Sequence, residues 1–253
     1  MIGPRTQRAE PAPWTDGRPV RGRGSRPVLP RVSPPSTDEA PAAARYWIES
    51  ARHRFSSVAS FHRTGSSLVA IGAPSELVDR VLSAADDEHH HTEICPALAR
   101  RSGAHDPRVV ADVGDLTRHR RRVDGLVDTA IGALIDGVLG EGWAAARCES
   151  AARRSPELAA ALGRLATDEA RHAELAADIV GWCTSVRPWI DADLRFALGL
   201  VPAEAPRPPF VEELTDDVRA RHGICTRPDR DETWAIALEG AQRLVAGVRV
   251  AAG

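Results

Sequence analysis

Two copies of one short pattern carry the residues best suited to chemistry. Glu88 and His91 form the first Glu-x-x-His motif, and Glu169 and His172 form the second. On a helix, residues three apart lie on the same face, with roughly 5–6 Å between their Cβ atoms. A carboxylate and an imidazole at this spacing can bind one metal ion. Two such motifs on separate helices are the means by which a four-helix bundle builds a two-metal carboxylate site.

Each motif interrupts an otherwise apolar helical face. The first motif falls within a predicted second helix from about Pro74 to Arg101, and the second motif within a predicted fourth helix that ends near Cys183. Ser155 is the expected cap of that fourth helix, with Pro156 in its first turn. Because a buried carboxylate is costly unless it is paired or bound to metal, these interruptions indicate a functional site.

Helices one and three complete the predicted set. Helix one is expected to begin near residues 37–41, and the short connection at 72–75 makes it an antiparallel hairpin with helix two. Helix three is expected from about Asp115 to Arg154, and Glu141 interrupts its apolar face. Residues 103–114 could span about 40 Å when extended, enough for a crossover to the starting end of the bundle. The predicted fold is therefore an all-α antiparallel four-helix bundle with a long crossover between helices two and three.

Composition agrees with a helical, non-membrane protein. Of the 253 residues, 43% are hydrophobic and only 4% are aromatic, and alanine and leucine dominate, which favours helix over sheet. The formal net charge of −2 argues against a protein built around nucleic-acid binding. No apolar stretch reaches the length of a membrane span, and four widely spaced cysteines indicate the reduced thiols of a cytoplasmic protein.

Changes in composition along the chain predict three parts. Residues 1–37 are rich in proline, arginine and glycine, and are expected to form an irregular or disordered arm. Residues 38–185 would form the bundle, and residues 186–253 a C-terminal helical extension. The extension contains two predicted helices, at about 211–221 and 230–249. The last helix is amphipathic, and is expected to pack on the bundle or on a second subunit of a homodimer.

Four stretches of the chain carry a resemblance to a known group of proteins: residues 57–61 (SVASF), 72–74 (GAP), 87–91 (DEHHH) and 168–172 (DEARH). In them, and over roughly residues 45–185, the sequence resembles the ferritin-like, rubrerythrin-related superfamily of di-iron carboxylate proteins. In detail it is similar to a bacterial branch of uncharacterised ferritin-like domain proteins.

The resemblance implies a role for each of five metal ligands. Glu88 and Glu169 would be the bridging carboxylates, and His91 and His172 would each bind one of the two ions. Glu141 would be a terminal carboxylate. The second terminal carboxylate of the pattern falls on Arg54. The chain departs from the family at this position, because arginine keeps its proton and cannot bind a metal ion.

Arg54 leaves three arrangements open. In the first, a single ion is held at the better supplied half by Glu141, Glu169 and His172, with or without Glu88. In the second, the site is free of metal, and Arg54 forms a buried ion network with the carboxylates. In the third, Arg54 turns outward and two ions bind. A site made of carboxylates and imidazoles suits one or two iron ions, or manganese.

Two classes of function follow from these arrangements. The first is a ferritin-like oxidoreductase that acts with dioxygen or peroxide and with a small-molecule substrate or reductant that the sequence does not identify. The second is a metal-free helical scaffold or partner-binding protein, in which Arg54 closes the former metal site. The sequence assigns no catalytic residue within the first class. Iron storage is a weaker third interpretation, because storage needs a hollow shell.

Overall fold

The computed structural model describes residues 41–107, 125–208 and 210–251. Every regular element in these ranges is helical, which confirms the all-α prediction. The elements are α1 (Ala42–Ala70), α2 (Ser75–Arg101), α3 (Gly125–Gly132), a π-helical segment (Ala133–Glu141), α4 (Gly142–Arg154), a 3-10 turn (Pro156–Leu158), α5 (Ala159–Val186), α6 (Ile190–Gly199), α7 (Asp216–Arg221) and α8 (Arg227–Ala251). The predicted arm at 1–37, most of the predicted crossover and the start of helix three lie outside the described residues.

The helices α1 and α2 form a hairpin around a short turn. Gly72 has a φ of 76° there, a left-handed conformation that glycine adopts without the steric penalty of a side chain. At the other end of the hairpin, Pro41 is extended, with φ −52° and ψ 148°, and α1 begins at Ala42. The described part of α1 therefore begins one residue after the start predicted near residues 37–41, of which residues 37–40 lie outside the described residues.

The predicted fourth helix begins with the 3-10 turn, which has Ser155 at its N-cap and Pro156 in its first turn, as predicted. The Ser155 hydroxyl makes no capping hydrogen bond, because it donates to the carbonyl oxygen of Ala220 in α7. α5 also continues to Val186, beyond the end predicted near Cys183. The helix α6 was not predicted, although Ile190, Leu194 and Leu198 are buried at helical spacing.

Two apolar clusters lie on either side of the two motifs. The first core cluster includes Leu68, Val81, Ala130, Leu175 and Ile179. The second core cluster includes Ala51, Cys95, Ala151, Leu162 and Leu165. Along α2 and along α5, each motif lies between residues of the two clusters, so its side chains are surrounded by apolar packing. No helix in the described ranges is long and apolar enough to cross a membrane.

The helix α8 packs on the same chain. The ring of Trp234 meets that of Trp143 edge to face, with 5.0 Å between ring centroids. Asp229 binds Arg154 through two hydrogen bonds of 2.5 and 2.7 Å and accepts a third, of 2.6 Å, from Ser150. These contacts attach the extension to α4, which is the first of the two locations predicted for this helix.

A π-helical segment separates α3 from α4, and Glu141 is its last residue. Such segments are rare and often occur at functional sites, because the wider turn changes the direction of the side chains that follow. Gly137 lies where the segment approaches α5 most closely. A Cβ atom at this position would be 2.3 Å from the Cβ of Ala176. The backbone approach therefore requires glycine.

Replacing Gly137 with alanine should lower the free energy of unfolding by about 1–3 kcal/mol, because the new methyl group forces the segment away from α5. Urea unfolding followed by circular dichroism measures the change. Gly132 is the matched control, since a Cβ there meets nothing within 4 Å. Gly132→Ala should be neutral or stabilising by up to about 1 kcal/mol. Equal stability of the two variants would contradict the close approach.

Candidate metal centre

The structure brings all the predicted ligands and Arg54 into one buried cluster. Arg54 lies on α1, Glu88 and His91 lie on α2, and Glu169 and His172 lie on α5. Glu141 lies at the end of the π segment. Glu88, His91 and Glu169 are 0% exposed, and His172 is 2% exposed. One ligand atom from each of Glu88, Glu141, Glu169 and His172 lies within 4.8 Å of the others. These four residues could hold one metal ion.

Each imidazole is held by the aspartate of the opposite motif. His91 Nε2 lies 3.0 Å from Asp168 Oδ2, and His172 Nε2 lies 3.2 Å from Asp87 Oδ2. Arg171 contacts both aspartates, at 3.3 Å in the case of Asp87. Carboxylates that hold the far nitrogen of a histidine orient the ring and raise its basicity as a ligand. Asp87 and Asp168 were not predicted to take part in the site, although the repeated Asp-Glu pair was a signal for such a role.

The near nitrogen of His172 faces the carboxylates. His172 Nδ1 lies 3.6 Å from Glu88 Oε1 and 3.5 Å from Glu169 Oε2. It is buried and has no hydrogen-bond partner among the described residues, and the same is true of Glu88 Oε2 and Glu169 Oε2. Unpaired buried polar atoms cost about 1–3 kcal/mol each, so a partner that binds these three atoms would be stabilising.

Arg54 points into the same cluster. Its Nη1 atom lies 3.3 Å from Glu88 Oε1 and 3.7 Å from Glu141 Oε2, and also contacts Glu169 Oε1. Burial alone would lower the pKa of Arg54, but the carboxylates of Glu169 and Glu88 hold that pKa well above its usual value. The guanidinium is therefore a permanent cation at the position where the ferritin-like pattern has a carboxylate.

The pKa values of His91, Glu141 and Glu169 are also shifted by the buried charges of the cluster. Burial alone would lower the pKa of His91, but hydrogen bonds to Glu169 and Glu88 raise the pKa to about 10. Burial and the nearby Glu169 carboxylate raise the pKa of Glu141 well above its usual range. Burial opposes the charge of Glu169, yet Arg54 and the two imidazoles hold the pKa of Glu169 well below its usual range. The cations Arg54 and His91 therefore favour the ionised form of Glu169, whereas burial and the Glu169 charge favour the protonated form of Glu141.

No protein-family model, no curated protein and no solved structure matches this chain. The ferritin-like resemblance is therefore still a prediction from the motifs. What the structure adds is the geometry of a buried cluster of glutamates and histidines that could hold a metal ion.

Proposed function

We propose that this chain is a ferritin-like metalloprotein that binds one iron or manganese ion through Glu88, Glu141, Glu169 and His172. The observation that carries the proposal is the set of contacts made by the two ring nitrogens of His172. Its far nitrogen is bound by Asp87, whereas its near nitrogen is buried, unpaired and directed at two carboxylates. That is the second-layer arrangement found around metal-bound histidines. Three carboxylates and one imidazole form a donor set that suits iron or manganese.

The directions of the helices support a ferritin-like bundle. α1 and α5 run from the second core cluster to the first. α2 runs the opposite way, as does the continuous helical stretch formed by α3, the π segment and α4. α2 ends beside the second core cluster at Leu98, and α3 begins beside the first at Leu126. The chain therefore leaves α2 at one end of the helices and enters α3 at the other. This change of end supports the predicted crossover between helices two and three.

Each residue of the cluster has a task in such a site. Asp87 holds His172 with its near nitrogen free, and Asp168 holds His91 in the same manner. Glu141 would bind the ion as a carboxylate, a form that burial and the Glu169 charge disfavour without metal because both raise the pKa of Glu141. Arg54 compensates part of the carboxylate charge, so that one ion is enough to balance the rest. When bound, iron or manganese would supply one-electron chemistry toward dioxygen or peroxide, with a small-molecule reductant.

Metal analysis tests the proposal. The full chain, expressed with added iron or manganese, should contain about one metal ion per chain by elemental analysis. Glu169→Gln should reduce this to near zero, because Glu169 lies at the centre of the ligand set. Glu174 is exposed on the same helix, and Glu174→Gln should keep the metal content of the parent. A parent protein with near-zero iron and manganese would overturn the proposal.

A metal-free scaffold is the second candidate, and one observation favours it. The cations Arg54 and His91 already contact Glu88 and Glu169, so the buried cluster has positive charge without any metal ion. In that state the cluster would be an ion network that holds α1, α2 and α5 together. The same elemental analysis separates the two candidates, because a scaffold contains no metal and keeps its fold when treated with a chelator.

A further inference from the structure

A cavity of about 400 Å³ lies beside the carboxylate cluster and shares Arg54 with it. This volume is within the range of about 300–1,000 Å³ that is usual for small-molecule sites. Residues of α1 and residues of α4 line the cavity, as do residues 206–208, 223 and 225. The α1 wall and the α4 wall carry three aromatic side chains, Tyr46, Trp47 and Trp143. The cavity therefore offers flat apolar surfaces next to the proposed metal centre.

Two hydrogen-bond donors on the α4 wall have no partner in the described part of the chain. They are the indole nitrogen Nε1 of Trp143, a residue only 8% exposed, and the guanidinium nitrogen Nε of Arg147. The Arg147 guanidinium lies over the Trp143 ring, 4.0 Å from its centroid. Leaving buried donors unpaired is unfavourable, so a hydrogen-bond acceptor brought to this wall would be stabilising.

The charges around the cavity favour an anion. Glu49 is its one acidic lining residue, and it forms an ion pair of 3.2 Å with Arg52. The cation Arg54 is already surrounded by three carboxylates of the metal centre, whereas no described carboxylate forms an ion pair with Arg147. Burial raises the pKa of Tyr46, so its phenol stays protonated and can donate a hydrogen bond. A free cation among apolar walls is suited to a carboxylate with an apolar body.

We propose that this cavity binds a small aromatic carboxylic acid, with its carboxylate on Arg147 and its ring against the aromatic residues of the α1 wall, Tyr46 and Trp47. The planar fork of arginine binds a carboxylate through two parallel hydrogen bonds, and its stacking on Trp143 holds the fork in place. Binding of the acid does not require a metal ion, so this inference is independent of the proposed function.

Phenylacetate is a suitable probe, and phenylacetamide is its uncharged counterpart of nearly the same shape. Isothermal titration of the full chain, with chelator present, should show one phenylacetate per chain with a Kd below about 1 mM. Phenylacetamide should bind at least about tenfold more weakly, because it lacks the charge that Arg147 pairs with. Equal affinities, or no binding of phenylacetate at about 10 mM, would overturn the proposal.

Variants locate the binding to Arg147. Arg147→Gln should weaken phenylacetate binding about tenfold or more while leaving the affinity for phenylacetamide within about twofold. Arg153 lies on the same helix with an exposed side chain, and Arg153→Gln should bind both probes as the parent does. Circular dichroism establishes that each variant is folded. If Arg147→Gln does not fold, the comparison of the two probes on the parent protein still decides the question. Unchanged phenylacetate affinity in a folded Arg147→Gln protein would refute the assignment.

Discussion

Replacing Arg54 with methionine should lower the free energy of unfolding of the metal-free protein by about 3–5 kcal/mol. The guanidinium contacts Glu88, Glu141 and Glu169, and the side chain is only 9% exposed. Methionine keeps most of the length and apolar volume of arginine but removes the charge. The carboxylates would then be buried with His91 as the one remaining cation within their contact distance. Breaking a buried ion pair by removing one partner costs far more than an exposed pair contributes.

Urea unfolding in the presence of a chelator measures this loss. Arg52 provides the control, because it lies on the same helix but pairs with Glu49 at a partly exposed position. Arg52→Met should change the free energy of unfolding by less than about 1 kcal/mol. A loss below about 1 kcal/mol for Arg54→Met would show that Arg54 does not stabilise the cluster.

Metal addition gives Arg54→Met a second readout. With the guanidinium gone, a divalent cation can replace its charge, and saturating manganese should recover about 2.7 kcal/mol at one hundred times the Kd. Recovery in Arg54→Met that exceeds the stabilisation of the parent by manganese would support competition between the guanidinium and the metal for the same carboxylates. Manganese that stabilises neither protein would favour the metal-free scaffold.

Replacing Arg54 with glutamate should raise the metal content from about one to about two ions per chain. The substitution supplies the carboxylate that the ferritin-like pattern has at this position, and it removes the cation that lies among the ligands. The site would then have a carboxylate from α1 and one from the π segment, with a Glu-x-x-His motif on each of α2 and α5. This is the ligand set with which four-helix bundles hold two ions.

Elemental analysis and manganese titration measure the stoichiometry of Arg54→Glu. Its control is Arg52→Glu, which adds the same charge two residues away at a partly exposed position and should leave the metal content unchanged. Without metal, Arg54→Glu should be less stable than Arg54→Met, because a further carboxylate among buried acids is repelled. A metal content that stays at one ion per chain would contradict the interpretation of Arg54 as the replacement of a ligand.

Local periodicity was enough to predict the helices that carry the candidate site. The apolar residues of α2 and α5 correctly indicated that the motif residues are buried, because residues three and four apart lie on the same face of a helix. Helical spacing also puts Arg54 on the same face of α1 as Trp47 and Ala51, and all three side chains are buried. Ser155 and Pro156 lie at the helix start as predicted, but the capping hydrogen bond is not made, since the Ser155 hydroxyl is used by a contact with α7, far away in the sequence.

The sequence by itself determined the all-helical class, the two motifs and their burial, and the presence of an arginine among the expected ligands. The tertiary structure alone decided how the motifs meet. Each histidine contacts the aspartate of the other motif: His91 contacts Asp168 and His172 contacts Asp87, pairs that are 77 and 85 residues apart. The π segment and the close approach at Gly137 were also invisible to a pattern of 3.6 residues per turn. The physical reason is that helical faces follow from neighbouring residues, whereas contacts between helices depend on how whole faces pack together.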